Sequence, residues 1–150
     1  MLLIKKMTGR LDMSDLVRFG VSLEKVLLEK FDRLIRDKNY TNRSEAFRDL
    51  IRQELVKKEW EGFKDVAGAI TLVYDHHKRE LANRLIDIQH DFQSLVISTQ
   101  HVHLDHHHCL EIIAVKGLAE DVKKLANALK SMVGVRHVTL GMTSTGKDIT

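Results

Sequence analysis

Between Arg18 and Leu23 the chain alternates, with Phe19, Val21 and Leu23 apolar and Arg18, Gly20 and Ser22 between them. A period of two predicts a short strand with one apolar face. The period then lengthens. Leu27, Phe31, Leu34 and Ile35 fall on one stripe of a helix, with charges in between. Asp37 to Thr41 is a polar break. Asn42 precedes Arg43, Ser44 and Glu45 in a capping-box-like start, and Ala46, Phe47, Leu50, Ile51 and Leu55 carry a second helix to Trp60. Residues 1–16 show no sustained period and read as an N-terminal arm, and 61–65 read as a linker.

Beyond the linker the pattern changes class. Val66 to Tyr74 is apolar and β-branched, a strand. Lys78 to Phe92 is a helix with Leu81, Leu85 and Ile88 in one stripe. Leu95 to Leu104 and Cys109 to Lys116 are strands. Leu118 to Val133 is a helix with Val122, Leu125, Leu129 and Met132 inward, stopped by Gly134. Val135 to Met142 is the last strand, followed by a polar tail. The order βαββαβ over 66–150 is the ferredoxin-like pattern, and the whole chain is expected to be α+β.

Residues 17–60 are too few to close a core: one strand lacks a partner, and two short helices bury little. Pairing with a second copy solves this. Two strands then form an antiparallel ribbon with Phe19, Val21 and Leu23 packed on four helices, and with Arg18, Gly20 and Ser22 outward. That is a ribbon-helix-helix arrangement, whose ribbon enters the DNA major groove. The N-terminus of the second helix, at Arg43 and Ser44, offers unpaired N–H groups to a phosphate. A helical hairpin serving dimerisation alone is the plainer reading, and the polar outer strand face weakens it.

Length and composition bound the rest. At 150 residues the chain holds one medium domain or two small ones. With 43% hydrophobic and 30% charged residues it reads as globular. No apolar run approaches a membrane span, and Met1 to Ile4 is too short for a signal-peptide core, so a cytoplasmic protein with no membrane partner is expected. The net charge of +3 is uneven: residues 1–60 carry 14 Lys/Arg against 10 Asp/Glu, and 61–150 carry 10 against 11. The basic excess therefore lies with the ribbon, in mild support of nucleic-acid contact. Cys109 stands alone, which excludes an internal disulfide.

Its surroundings give that cysteine a chemistry. His101 and His103 are two apart, so a strand places both on one face. A hairpin would bring Cys109 back beside them. The resulting N,N,S set suits nickel, copper or zinc. Glu111, two beyond Cys109, shares its strand face and is placed to accept from a ligand imidazole, with Tyr74 in a similar role. His106, His107 and His108 lie in the turn, where solvated side chains are the default reading; with His76 and His77 they are candidates only for weaker auxiliary metal sites.

The chain closely resembles the nickel-responsive ribbon-helix-helix repressors, the NikR family, over residues 17–145. The resemblance rests on Arg18 to Leu23, Asn42 to Asp49, Val73 to His76, Asp87 to His90, His101-Val102-His103 and Cys109-Leu110-Glu111. It implies a ribbon-helix-helix domain followed by an ACT regulatory domain, assembled as a homotetramer, a dimer of dimers. It implies Ni(2+) held by His101, His103 and Cys109 of one subunit with His90 of a neighbour. One thiolate and three imidazoles in a plane suit Ni(II) or Cu(II) better than Zn(II). It further implies a site for K(+) or another hard cation, to which Glu45 and Asp49 would contribute. Arg18 and Ser22 become base-reading residues, while Gly20 departs from the polar residue many members carry. Arg43 and Ser44 would hold phosphate, which positions without specifying. The expected function is nickel-dependent repression at operator DNA, with nickel-uptake genes the family's usual target. Two alternatives are a zinc-type metallohydrolase using Glu111 as base, and an ACT module sensing an amino acid. Neither uses the N-terminal unit together with the histidines.

Overall fold

A computed structural model describes residues 16–149, so the expected arm lies outside the described residues except for Leu16. The chain divides after Arg43 into two compact units.

In the first unit, helix α1 (Lys25–Asp37) ends where the polar break was expected. Asn39 takes a positive φ of 56°. Three N–H groups, of Lys38, Asn39 and Tyr40, reach back to carbonyls of Leu34, Arg36 and Ile35, each at 3.0 Å. Asparagine tolerates the left-handed conformation this ending needs. Arg43 forks onto Asp32 with two bonds of 2.8 Å, and the pair holds the Asp32 carboxyl below its ordinary range. The strand expected at Arg18–Leu23 is not formed: residues 16–24 lie outside any helix or strand. A strand exists only by pairing, and the pairing expected for this segment was with a second copy. Phe19, Val21 and Leu23 are accordingly 69%, 53% and 40% exposed.

Helix α2 (Arg43–Glu61) leads through residues 62–64 into strand β1 (Asp65–Asp75) of the second unit. There follow α3 (Arg79–Asp91), β2 (Val96–His103), β3 (His108–Leu118), α4 (Ala119–Lys130) and β4 (Val135–Thr143). The sheet order is β2-β3-β1-β4, all neighbours antiparallel, which is the expected ferredoxin-like topology. Central strand β1 alternates in burial from Ala69 to Asp75 and β3 from His108 to Val115, because one of their faces packs into the core. Ile70, Leu72, Ile113 and Val115 from that face meet Leu81 and Leu85 of α3 and Val122, Leu125 and Leu129 of α4. Trp60 joins this core and donates from Nε1 to the Thr143 carbonyl at 2.8 Å. Gly68 permits the approach, since a Cβ there would sit 2.7 Å from the Gly141 carbonyl oxygen and 3.3 Å from the indole.

Helix α4 stops at Lys130, earlier than the expected Val133. Met132 N–H bonds the Leu129 carbonyl at 3.3 Å and Val135 N–H the Met132 carbonyl at 3.2 Å, so the chain is already turning before Gly134, whose φ is 101°. The hydrophobic period persists through Met132 because that side chain packs on the core from the turn. Among the described residues no helix is long and apolar enough to cross a membrane.

Ile113 is fully buried at the sheet centre. Ile113→Val removes one methylene and leaves a small void, so urea unfolding should show a loss of about 0.5–1.5 kcal/mol with unchanged metal stoichiometry.

Candidate metal centre

Register builds the site. His103 pairs with Cys109 and His101 with Glu111 across β2 and β3, while Tyr74 pairs with Cys109 and Leu72 with Glu111 across β1 and β3. Residues opposite one another share a face, as do residues two apart. Tyr74, His101, His103, Cys109 and Glu111 therefore all lie on the face that carries the core, at one end of the sheet. His76, two past Tyr74, follows β1 onto the same side.

Asp105 shapes the hairpin that delivers them. Its Oδ1 accepts from the N–H groups of His107 and His108 at 2.7 and 2.8 Å, and the His108 ring lies 2.9 Å from Oδ2. These contacts, the His108 ring first, pull the Asp105 carboxyl down to about 2. The turn then closes with the Leu104 N–H on the His108 carbonyl at 2.9 Å. His108 thus opens β3 while its backbone and ring fasten the turn before it. The His77 ring sits 5.3 and 5.5 Å from those of His106 and His107 at the surface.

Three imidazoles surround one thiol. Cys109 Sγ lies 2.9 Å from His101 Nε2, 3.1 Å from His76 Nδ1 and 3.3 Å from His103 Nδ1. His76, His103 and Cys109 converge closely enough to share an ion, and Asp75, His76 and His77 form a second such group. Cys109 is 0% exposed, and burial, then the negative charges of Glu111, Asp105 and Asp75, push its thiol up. Burial also lowers the His76 imidazole, with His77 and His103 adding to it, which favours the neutral form that ligates. A buried thiol that its surroundings keep protonated, with three imidazole nitrogens against it, is a donor set that a divalent cation would satisfy.

Glu111 anchors the second layer. It is only 5% exposed and accepts from the Tyr74 hydroxyl at 2.8 Å and from Gln89 Nε2. Gln89 in turn accepts from Thr99 Oγ1 at 2.9 Å. Burial, then the Glu111 carboxylate, raises the Tyr74 hydroxyl, so it stays a donor. Tyr74 Oη also lies 3.4 Å from His101 Nδ1, which orients that ring with Nε2 toward the sulfur.

His90 does not join the group within one chain. It is exposed on the last turn of α3, next to Gln89. On α2, Glu45 pairs with Arg48, and Asp49 accepts from Gln53 Nε2 at 2.7 Å. Arg18, Gly20 and Ser22 are exposed, and a Cβ at Gly20 would meet nothing within 4 Å. Arg43 is committed to Asp32, while Ser44 is exposed at the start of α2. Sequence reasoning gave His76 only an auxiliary role and passed over Gln89. Their signal is register, since both meet the β3 site from other elements.

Comparison with known proteins extends this picture. Residues 67–143 match the family described as the NikR C-terminal nickel-binding domain. Residues 17–58 match the ribbon-helix-helix proteins of the copG family. A protein of Syntrophus aciditrophicus named "Putative nickel-responsive regulator" is 63% identical over 135 residues, covering 90% of this chain and 98% of its own. A relative of the same name from Chlorobium limicola is 63% identical over 134 residues, covering 89% of this chain and 100% of its own. Another from Pyrococcus furiosus is 53% identical over 135 residues, covering 89% and 98%.

Proposed function

The chain belongs to the family of nickel-responsive ribbon-helix-helix regulators, and from that premise we propose that it binds operator DNA when Ni(II) occupies a site shared between subunits of a homotetramer. The observation that carries the proposal is the buried Cys109 thiol with imidazoles of His101 and His103 against it on one hairpin. These three would hold Ni(II) together with His90 of the partner subunit, and the bound ion would supply the link between chains.

The protein side follows from the hydrogen bonds. Gln89 ties α3 to Glu111 and to Thr99 of β2. His90, its neighbour, faces solvent from the same turn. A demand on His90 from an adjacent subunit would therefore be felt by Glu111, and through Tyr74 by His101. Ordering at this point favours one tetramer arrangement over others, and a few kcal/mol of differential affinity shifts its population by orders of magnitude. In the competent arrangement, paired ribbons present Arg18 and Ser22 to bases, and the exposed Phe19, Val21 and Leu23 are covered by the second copy. Gly20 contributes no side chain to the groove. Arg43 would have to leave Asp32 to take a phosphate, so Ser44 is the better placed of the two. Glu45 and Asp49 would contribute to a K(+) or other hard-cation site, and such a sensor of intracellular metal would act in the cytoplasm. A metallohydrolase reading finds no support, because Glu111 is occupied by Tyr74 and Gln89 and the relatives are named regulators.

Selection of the full chain on a random duplex pool, with Ni(II) or with chelator, tests this. The expected result is nickel-dependent enrichment of a paired half-site sequence that His90→Asn abolishes. Equal DNA retention with and without nickel would overturn it.

A further inference from the structure

After β4 the chain turns back onto α2. Gly146 takes a φ of 83°, and its N–H bonds Ser144 Oγ at 3.1 Å, so the tail bends where only glycine is at ease. The tail then meets α2 and the loop after it in two places. Arg52 Nε donates to the Ile149 carbonyl at 3.2 Å, and Lys64 Nζ donates to Asp148 Oδ2 at 2.9 Å. Both contacts are exposed. A groove of about 670 Å³ has Val56 and Trp60 of α2, Met142 of β4 and Ile149 of the tail in its lining.

Lys64 has a second carboxylate nearby. Glu59 of α2 is only 7% exposed, and its Oε2 is shut off from solvent with no hydrogen-bond partner among the described residues. A buried acceptor left unpaired is unfavourable, and a carboxylate more so than a neutral group. The Asp148 carboxylate raises the Lys64 ammonium most, and the Glu59 charge adds to it. The pair with Asp148 stands in water, its side chains 61% and 57% exposed, and such pairs contribute little. One flexible ammonium thus lies between a solvated carboxylate on the tail and a buried one on the helix. The first is easily given up, and the second lacks a partner.

We propose that residues 144–149 are a releasable strap across α2 and that Lys64 is its latch. With Lys64 on Asp148 the strap is closed. With Lys64 turned in to Glu59 the buried carboxylate is paired, Asp148 is let go, and the tail keeps only the Arg52 contact. Pairing the buried carboxylate is set against desolvation of the ammonium, so the two positions are balanced and small biases move the population. The consequence lies in what α2 joins. The helix starts at Arg43 and Ser44 and ends with Trp60 in the core of the domain that carries the metal centre. Movement of α2 against that sheet must first open the strap. Lys64 therefore controls how firmly the helix is tied to the sheet.

Two measurements on the full chain test the latch. Trypsin cleavage after Lys147 reads strap opening, because cleavage of a transiently opened segment follows the open population. Lys64→Met should speed it by up to about fivefold, the most that an exposed ion pair sustains. Glu59→Gln should slow it by about twofold or more, since Lys64 is then left with Asp148 alone. In the Lys64→Met background Glu59→Gln should change nothing, which also shows that the substitution has not loosened the fold. The second measurement is the rate at which an amine-selective ester modifies Lys64, read by mass spectrometry. Asp148→Asn should slow it, because the ammonium withdraws to Glu59, whereas a surface pair simply broken would speed it. Cleavage that Glu59→Gln leaves unchanged or speeds, or Lys64 modification that Asp148→Asn does not slow, would overturn the proposal. Neither measurement uses metal or DNA, so the outcome is separate from that of the nickel reading.

Discussion

Cys109→Ala is expected to weaken Ni(II) binding by roughly two orders of magnitude and to remove the near-ultraviolet thiolate-to-nickel band. The magnitude follows from known sites: about 10–16 kcal/mol of metal-binding free energy over four ligands puts roughly 3 kcal/mol on each. The thiolate should not fall below that average, because it is the one anionic ligand in the set. The sulfur also lies at the middle of the group, against three imidazoles within 3.3 Å, so its removal leaves them without a common neighbour. The fold should survive. Cys109 sits at the end of the core, and the sheet register there is held by backbone pairing with Tyr74 and His103. Isothermal titration and absorption on native and variant protein, with urea unfolding as control, decide the matter. Unchanged affinity with unchanged unfolding would show that the histidines alone bind the metal, and the regulator proposal would lose its central residue.

Much of this site was legible in the sequence because it lies on one hairpin. His101, His103 and Cys109 are near in sequence, and a period of two puts the histidines on one face without any knowledge of the tertiary fold. Glu111 follows by the same rule. His76 and Gln89 were not legible in these roles. His76 reaches Cys109 only because β1 is inserted beside β3, with Tyr74 opposite Cys109, and no local pattern encodes a register between strands 33 residues apart. Gln89 depends likewise on where α3 lies on the sheet. The βαββαβ order was legible because each element keeps one clean period. The ribbon strand was legible as a pattern and is not formed in a single chain; the hydrogen-bond partner expected for it is a second copy. At the end of α4 the pattern misled by a few residues: Met132 continues the apolar stripe while the backbone has already left the helix.

The same cysteine sets a pH dependence whose sign can be worked out. In the metal-free protein, burial and three nearby carboxylates push the Cys109 thiol above its ordinary value. A group raised on folding stabilises the fold below its unfolded pKa, and that contribution fades as pH rises through the folded value. The metal-free protein should therefore lose a little stability in alkaline solution. Metal binding runs the other way. The ligand is the thiolate, so binding must displace the thiol proton, and the displacement becomes easier as pH rises. Below the raised thiol pKa, one proton is released for each ion bound, and the dissociation constant should fall about tenfold per pH unit. Between pH 6.5 and 8.5 that amounts to roughly a hundredfold gain in Ni(II) affinity. Cys109→Ala should remove this slope along with the thiolate band, because the proton it tracks is gone. The measurement is a set of competition titrations in buffers of differing ionisation enthalpy, which count released protons directly. A flat dependence in the native protein would mean that the thiol is already ionised at neutral pH. Contacts from the surrounding imidazoles to the sulfur would then outweigh burial and the carboxylates of Glu111, Asp105 and Asp75, reversing the electrostatic account of the site.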